Sequence, residues 1–180
     1  MPNITTSVTD ATICNGESTT ISALGGTTYN WSGLGTNSSY SVNPSTTTTY
    51  SVTGSSGGCS NTATILVSVN ALPNITASAT YPSLCVGEST DINAGGGSTY
   101  TWDNALGAGS THNITPAATT TYQVTGTDAN GCTSTAQVTV SITTAPAVTA
   151  IAGTTSLCLG SSTTINGGGA VSYTWDQGLG

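Results

Sequence analysis

The stretch Cys14–Ala23 reads CNGESTTISA, and a close copy, CVGESTDINA, occupies Cys85–Ala94. A third version, CLGSSTTING, occupies Cys158–Gly167. The leading cysteines of these stretches lie 71 and 73 residues apart, a period longer than the roughly 20–50 residues of solenoid and propeller units. Each repeat is therefore the size of a small domain, because independently folding domains begin at roughly 55–65 residues.

This period divides the chain into two complete repeats and part of a third. We predict repeat 1 at residues 1–72, repeat 2 at 73–145 and a truncated repeat 3 at 146–180. Because counterparts of Ser39–Asn70 are missing from repeat 3, we expect that the protein continues or that another chain completes the fold. Other positions that recur with the same period are Trp31, Trp102 and Trp175, then Tyr50 and Tyr122, then Cys59 and Cys132.

The charge composition excludes several classes of partner. The 180 residues contain no Lys or Arg and seven Asp plus Glu, for a formal net charge of −7. Binding to nucleic acid or to anionic lipid needs clustered cations, so we expect no nucleic-acid partner. No apolar run approaches the ~20 residues of a membrane span, so we expect no membrane insertion. Two cysteines per complete repeat indicate an oxidising, extracellular or cell-surface location.

The residue pattern predicts strands throughout. Thr, Ser, Val, Ile and Gly dominate, and short alternating runs are interrupted by Gly, Asn and Pro, which is typical of an all-β domain. Seven short strands with turns at this spacing predict a two-sheet sandwich. In repeat 1 we place them near Ile4–Thr9, Ala11–Ile13, Ser18–Ala23, Thr27–Ser32, Ser39–Asn43, Thr47–Gly54 and Asn61–Val69.

Three segments carry a resemblance to a known family. Asn15–Ala23 resembles the start of strand B of immunoglobulin-like (Ig-like) domains, Tyr29–Trp31 resembles strand C, and Thr49–Val52 resembles the start of strand F. The series Cys-x-Gly-Glu-Ser, Tyr-x-Trp, Thr-Thr-Thr-Tyr-x-Val-Thr-Gly and Gly-Cys is similar to bacterial Ig-like and PKD-like tandem repeats. Such repeats occur in large surface proteins of gliding bacteria and in type IX secretion substrates. The resemblance implies tandem immunoglobulin-like β-sandwich domains, the third truncated.

The same resemblance assigns structural roles to the recurring aromatic residues. Trp31, Trp102 and Trp175 correspond to the core tryptophan of strand C. Small apolar residues stand where antibody domains carry their inter-sheet disulfide: Ala23 and Val52 in repeat 1, then Ala94 and Val124 in repeat 2. Tyr50 and Tyr122 correspond to the corner tyrosine, whose hydroxyl bonds to backbone near Pro44 or Pro116.

The chain offers little material for catalysis or metal binding. His112 is the only histidine, which excludes a histidine cluster around a metal and a Ser-His-Asp triad. The carboxylates do not recur as a converging pair. Asp128-Ala129-Asn130-Gly131 is the nearest approach to a calcium loop, but Ca²⁺ needs 6–8 oxygen ligands and we interpret this segment as a turn. We therefore expect no catalytic, cofactor-binding or metal-binding residues, and no enzymatic activity.

The five cysteines allow two pairings. One joins Cys14 to Cys59 and Cys85 to Cys132 within each repeat. The other follows from Ig-like connectivity, which places Cys14 and Cys59 at opposite ends of a domain. Head-to-tail stacking would then join Cys14 to Cys132 across the junction, leaving Cys59 for an earlier repeat and Cys85 and Cys158 for later ones. We favour the pairing across the junction and keep the within-repeat pairing as the alternative.

We expect a structural module: a stalk or fibre of a secreted bacterial cell-surface adhesin or extracellular filament. Its partners would be neighbouring repeats or other copies in a filament, and surface glycans or other cells. The alternative is a glycan-binding accessory module of a secreted polysaccharide-active enzyme. That module would present exposed aromatic rings, for which the candidates are Tyr29, Tyr81, Tyr100 and Tyr173.

Overall fold

A computed structural model of the chain describes residues 1–176, so the last four residues of predicted repeat 3 lie outside the described residues. These described residues contain strands and no helix. Repeat 1 contains β1 (Thr5–Val8), β2 (Thr12–Cys14), β3 (Thr19–Leu24), β4 (Thr28–Trp31), β5 (Ser39–Val42), β6 (Thr48–Ser56) and β7 (Cys59–Asn70). Repeat 2 contains β8 (Thr76–Ala79), β9 (Ser83–Cys85), β10 (Thr90–Gly95), β11 (Thr99–Trp102), β12 (Gly107–Ala108), β13 (Thr111–Ile114), β14 (Thr120–Thr127) and β15 (Thr133–Thr143).

Two sheets form repeat 1. One has the order β1-β3-β5 and the other β2-β7-β6-β4. All pairings are antiparallel except that of the short strand β2 with β7, which is parallel and sets Cys14 opposite Asn70. Because the two strands run in the same direction, Cys14 lies at the end of the sandwich where β7 finishes.

Repeat 2 has the same topology, with sheets β8-β10-β13 and β9-β15-β14-β11. Its second sheet gains the two-residue edge strand β12, which pairs with β11. Before β12, Asn104 and Ala105 have φ angles of 52° and 62°, the left-handed region that non-glycine residues seldom adopt. The predicted all-β, Ig-like sandwich architecture is confirmed.

Each complete sandwich has its own apolar core. Trp31 is 1% exposed and Trp102 is 3% exposed, and each lies opposite a buried valine of the neighbouring strand, Val52 or Val124. Val52 belongs to one sheet and the buried Ala23 to the other. Apolar packing thus fills the place that an inter-sheet disulfide holds in antibody domains.

The described residues of repeat 3 form one two-stranded sheet from β16 (Thr149–Ala152) and β17 (Ile165–Gly168). Their register, Thr149 opposite Gly168, repeats the register of Thr5 opposite Leu24 in repeat 1. Ile165 is 44% exposed, whereas its counterparts Ile21 and Ile92 are fully buried. Trp175 is half-buried, so in this part of the chain the tryptophan does not sit in a closed core.

Replacing the core tryptophan of repeat 2 should destabilise that repeat strongly. We expect Trp102→Ala to lower the free energy of unfolding by roughly 3–5 kcal/mol, because it removes buried apolar contacts and leaves a cavity. Urea unfolding followed by circular dichroism measures the change. Tyr81→Ala is the control, since Tyr81 is 62% exposed and surface changes are worth about 0.5 kcal/mol or less. Equal losses in both variants would contradict the core position of Trp102.

Candidate functional site at the repeat junction

The turn that follows β2 holds Cys14 in place by three hydrogen bonds. The Cys14 N–H donates to the Glu17 carboxylate at 2.9 Å, and the Glu17 N–H donates to the Cys14 carbonyl at 3.0 Å. Gly16 has φ of 94°, a conformation that favours glycine. The Asn15 N–H donates to the Asn70 carbonyl at 2.9 Å. Cys14 is therefore fixed beside the last residue of β7, where repeat 1 passes into repeat 2.

The loop between β14 and β15 holds Cys132 through the side chain of Asp128. One oxygen of this carboxylate accepts the Asn130 N–H at 2.8 Å and the Cys132 N–H at 2.9 Å. The Asp128 N–H donates to the Cys132 carbonyl at 2.9 Å. Cys132 is 1% exposed. The predicted turn is thus present, and the Asp128 carboxylate is engaged with backbone N–H groups.

A disulfide joins Cys14 to Cys132, with a Cα–Cα distance of 5.6 Å. It connects the β2 end of repeat 1 to the β14–β15 loop of repeat 2, and we call it the staple. Cys14 lies opposite Asn70, the last residue of β7, whereas Cys59 is the first residue of β7. At ~3.3 Å per residue their separation is about 36 Å, far beyond the ~7 Å Cα limit for a disulfide. The structure contains the inter-repeat pair and not a Cys14–Cys59 pair.

Three cysteines stay free and exposed: Cys59, Cys85 and Cys158. Cys85 repeats the environment of Cys14, because its N–H donates to the Glu88 carboxylate at 2.8 Å. Cys158 keeps only the backbone part of this turn, in which the Ser161 N–H donates to the Cys158 carbonyl at 3.0 Å. The alternative within-repeat pairing of Cys85 with Cys132 is likewise not formed, whereas the favoured Cys14–Cys132 pair is present.

Three of the four tyrosines predicted as a sugar-binding platform instead hydrogen-bond to backbone within their own repeat. The Tyr29 hydroxyl donates to the Gly26 carbonyl at 2.9 Å and accepts the Gly26 N–H at 3.0 Å. Tyr100 and Tyr173 make the same paired bonds to the residue three positions earlier. All three rings are half-buried, and of the four candidates only Tyr81 is exposed. The described residues therefore lack the two or three exposed rings that a sugar platform needs.

The predicted corner hydrogen bond of Tyr50 and Tyr122 is not found among the described residues, where the tyrosine hydroxyls that donate to backbone carbonyls belong to Tyr29, Tyr100 and Tyr173. Tyr122 is buried in the core of repeat 2, and Tyr50 packs against the core of repeat 1. Burial raises the pKa of the Tyr50 hydroxyl. Both rings thus contribute apolar packing and not the corner bond.

His112 lies in β13 opposite Ile92, and its ring meets Trp102 edge-on with centroids 6.4 Å apart. Its Nε2 atom is buried without a hydrogen-bond partner. Within residues 1–176, no three His, Cys, Asp or Glu side chains come together as a metal site would require. No membrane-spanning helix is found in the same part of the chain.

The roles of Glu17, Glu88 and Asp128 were missed at the level of the sequence. The recurrence of Cys-x-Gly-Glu carried a usable signal, because a carboxylate three residues after a backbone N–H can close a turn, as it does in a capping box. Asp128 begins Asp-x-Asn-Gly, a pattern in which the Asp side chain often accepts N–H groups two residues on. Glu17 and Asp128 each position a cysteine of the staple, and Glu88 holds the free Cys85 as Glu17 holds Cys14.

No protein-family model and no curated protein matches the sequence. Several solved structures show similarity to this chain. The amphioxus IgVJ-C2 molecule is 16% identical, over 72% of this chain and 99% of that chain, with a TM-score of 0.35. Fibronectin(III)-like modules of CbhA from Clostridium thermocellum are 11% identical, over 78% of this chain and 95% of that chain, with a TM-score of 0.39. A Ca²⁺-stabilized adhesin that helps an Antarctic bacterium bind ice is 17% identical, over 82% of this chain and 51% of that chain, with a TM-score of 0.42.

Non-reducing peptide mapping should recover a Cys14–Cys132 peptide from the oxidised chain. A protease with aromatic or leucine specificity is needed, because the chain contains no Lys or Arg for trypsin. Reduction before digestion is the control and should release the two halves. A Cys14–Cys59 peptide as the main product would contradict the staple.

Removing the Asp128 carboxylate should loosen the Cys132 loop. We expect Asp128→Ala to lower the free energy of unfolding of repeat 2 by about 1–3 kcal/mol, because two backbone N–H groups lose a charged acceptor. Urea unfolding with the disulfide intact measures the loss. Asp10→Ala is the matched control, since it removes the same charge from an exposed carboxylate that makes no hydrogen bond within the described residues. Identical midpoints for the two variants would refute this role of Asp128.

Proposed function

We propose that this chain is a structural module, a segment of the stalk or fibre of a secreted bacterial cell-surface adhesin or extracellular filament. The observation that carries the proposal is the staple, which joins consecutive repeats covalently at their junction. In this role the protein carries load and separates a surface from whatever is bound further along the array. Its partners are neighbouring repeats and the other components of the filament, and surface glycans or other cells bind elsewhere in the array.

The connection between the complete repeats supports a mechanical role. Strand β7 ends at Asn70 and β8 begins at Thr76, so five residues join the two sandwiches. Pro73 lies in this connection and restricts the backbone. A short link containing proline limits reorientation, and the staple adds a second covalent connection beside it. Two connections at one junction resist bending and twisting more than a single chain does.

The construction of each sandwich supports the same role. The long strands β6 and β7 pair over nine residues, and β14 and β15 pair over eight. Long antiparallel ladders place many hydrogen bonds side by side. Each repeat has its own core, so every unit can resist force by itself.

Disulfide chemistry supports an extracellular location for the proposed stalk. Disulfides persist in oxidising compartments and are rare in the cytosol. The Cys14–Cys132 bond is formed between positions that recur in the sequence, which argues for a regular structural use of the pair. Within this class we propose a gliding-motility adhesin or a type IX secretion substrate, because the motif series of the two complete repeats resembles the tandem repeats of those proteins.

Small-angle X-ray scattering of the full chain tests the proposed stiffness. The background protein is Cys59→Ser/Cys85→Ser/Cys158→Ser, which keeps the staple and carries no free thiol. It should give one narrow pair-distance distribution, whereas the further change Cys14→Ser/Cys132→Ser should give a broader one because its junction is held by a single connection. The control is Asp10→Ala in the same background, and its curve should superimpose on that of the background protein. If the staple-free variant superimposed as well, the staple would not stiffen the junction and the proposal would lose its support.

A further inference from the structure

Two cysteines outside the staple occupy, in their own repeats, the positions that the two cysteines of the staple occupy in theirs. Cys85 is the counterpart of Cys14, and Cys59 is the counterpart of Cys132. Both are exposed free thiols. We propose that Cys85 of one copy of this chain forms a disulfide with Cys59 of a second copy, which repeats the staple between molecules. The proposal rests on the proposed stalk function, in which repeats are joined in series.

The turn around Cys85 is already built for this bond. The Cys85 N–H donates to Glu88 at 2.8 Å, as the Cys14 N–H donates to Glu17 at 2.9 Å. Cys85 lies opposite Thr143 in the parallel pairing of β9 with β15, as Cys14 lies opposite Asn70. The thiol therefore needs no rearrangement of its turn to take the position that Cys14 takes in the staple.

The apolar surroundings of Cys85 distinguish it from Cys14. Tyr81 is 62% exposed and Val86 is 59% exposed, and both flank the turn that carries the free thiol. Their counterparts in repeat 1 are the polar residues Asp10 and Asn15. Exposed apolar side chains on both sides of a thiol gain free energy when a partner covers them. This end of repeat 2 therefore offers a contact surface as well as a reactive group.

Cys59 lies at the tip of the β6–β7 hairpin, and this tip is small enough to contact such a surface. Cys59 pairs with Ser56 and closes a two-residue hairpin made of Gly57 and Gly58, whose φ angles are 59° and 79°. Space is open beside both glycines, because an added Cβ would meet no atom within 4 Å. A tip of Ser and Gly residues presents little bulk, so a second molecule can approach the Cys59 sulfur closely.

The two thiols lie at opposite ends of the repeats that carry them. Cys59 begins β7 in repeat 1, whereas Cys85 lies opposite the last residue of β15 in repeat 2. A contact between unlike ends of two copies is heterologous, and a heterologous contact that does not close into a ring continues as a filament. The partner is thus a second copy of this chain, added head to tail.

The chemistry requires an oxidant, and a small disulfide such as oxidised glutathione serves. The Cys59 thiolate attacks this disulfide, forms a mixed disulfide and releases one small thiolate. The Cys85 thiolate of the second copy then attacks the Cys59 sulfur and releases the other small thiolate. The two protein thiols lose two protons in total, and the small disulfide takes up the two electrons as two thiols.

Cross-linking of the full chain in a glutathione redox buffer tests the proposal. Cys158→Ser serves as the background, because it removes the remaining free thiol. This variant should give a ladder of multimers on non-reducing gels, and the ladder should contain a Cys59–Cys85 peptide. The variants Cys59→Ser/Cys158→Ser and Cys85→Ser/Cys158→Ser should each lose the ladder, and an equal mixture of the two should give a dimer joined by the same peptide.

Two outcomes would overturn the inference. One is a mixture that stays monomeric although peptide mapping shows the Cys14–Cys132 bond intact, which verifies that the variants are folded. The other is a dimer joined through Cys85 of both molecules, which would indicate a two-fold contact in place of a head-to-tail one. Neither result bears on the scattering of the staple-free variant, so failure here is distinguishable from failure of the proposed stalk.

Discussion

The direction of one short strand determines how the repeats are connected. Strand β2 runs parallel to β7, so it carries Cys14 to the end of the sandwich from which the chain leaves for repeat 2. An antiparallel β2 would have turned Cys14 toward the β6–β7 hairpin and Cys59. Because β7 is twelve residues long, the two ends of the sandwich are too far apart for a disulfide. The pairing of cysteines across the junction, and not within a repeat, follows from this geometry.

Folding without Lys or Arg gives neutral hydrogen bonds a larger share of the polar contacts. Thr19 and Thr90 are buried, and their hydroxyls accept the N–H groups of Asp10 and Tyr81 at 3.0 and 2.9 Å. Other hydroxyls and amides bond to backbone carbonyls along the sheets and turns. Such bonds contribute modestly, at about 0.5–1.5 kcal/mol each, so the two tryptophan-centred cores supply the main stabilisation.

Sequence patterns predicted the sandwich closely because strands, turns and core residues are encoded locally. The predicted segment Asn61–Val69 lies within β7, and Trp31 and Trp102 are buried as core residues are. Strand β12 was not predicted, because its formation depends on Asn104 and Ala105 adopting left-handed backbone angles. The predicted corner hydrogen bond of Tyr50 is wrong. The place of the Tyr50 ring against the core could be predicted from the fold, but the partner of its hydroxyl could not.

The choice between cysteine pairings needed long-range geometry. Spacing along the sequence permits both pairings, and only strand direction and length separate them. The hydrogen bonds of Glu17 and Asp128 also depend on turns whose exact backbone angles cannot be derived from residue types alone. Glu17 recurs as Glu88 three residues after a cysteine, whereas Asp128 has no carboxylate counterpart in repeat 1. The roles of Glu17 and Asp128 became clear only when each carboxylate was found accepting the N–H of a stapled cysteine.

The staple also decides how far the molecule can extend. While the bond is closed, tension applied before Cys14 and after Cys132 cannot extend the intervening chain, with β3 to β14, because the sulfur atoms connect the two points directly. The two cysteines are 118 residues apart in sequence. At ~3.4 Å per extended residue, the loop that the disulfide closes has a contour length of roughly 400 Å. A reductant that opens one bond makes that length available to the pull. The length to which this chain can be extended therefore depends on whether the Cys14–Cys132 bond is oxidised or reduced.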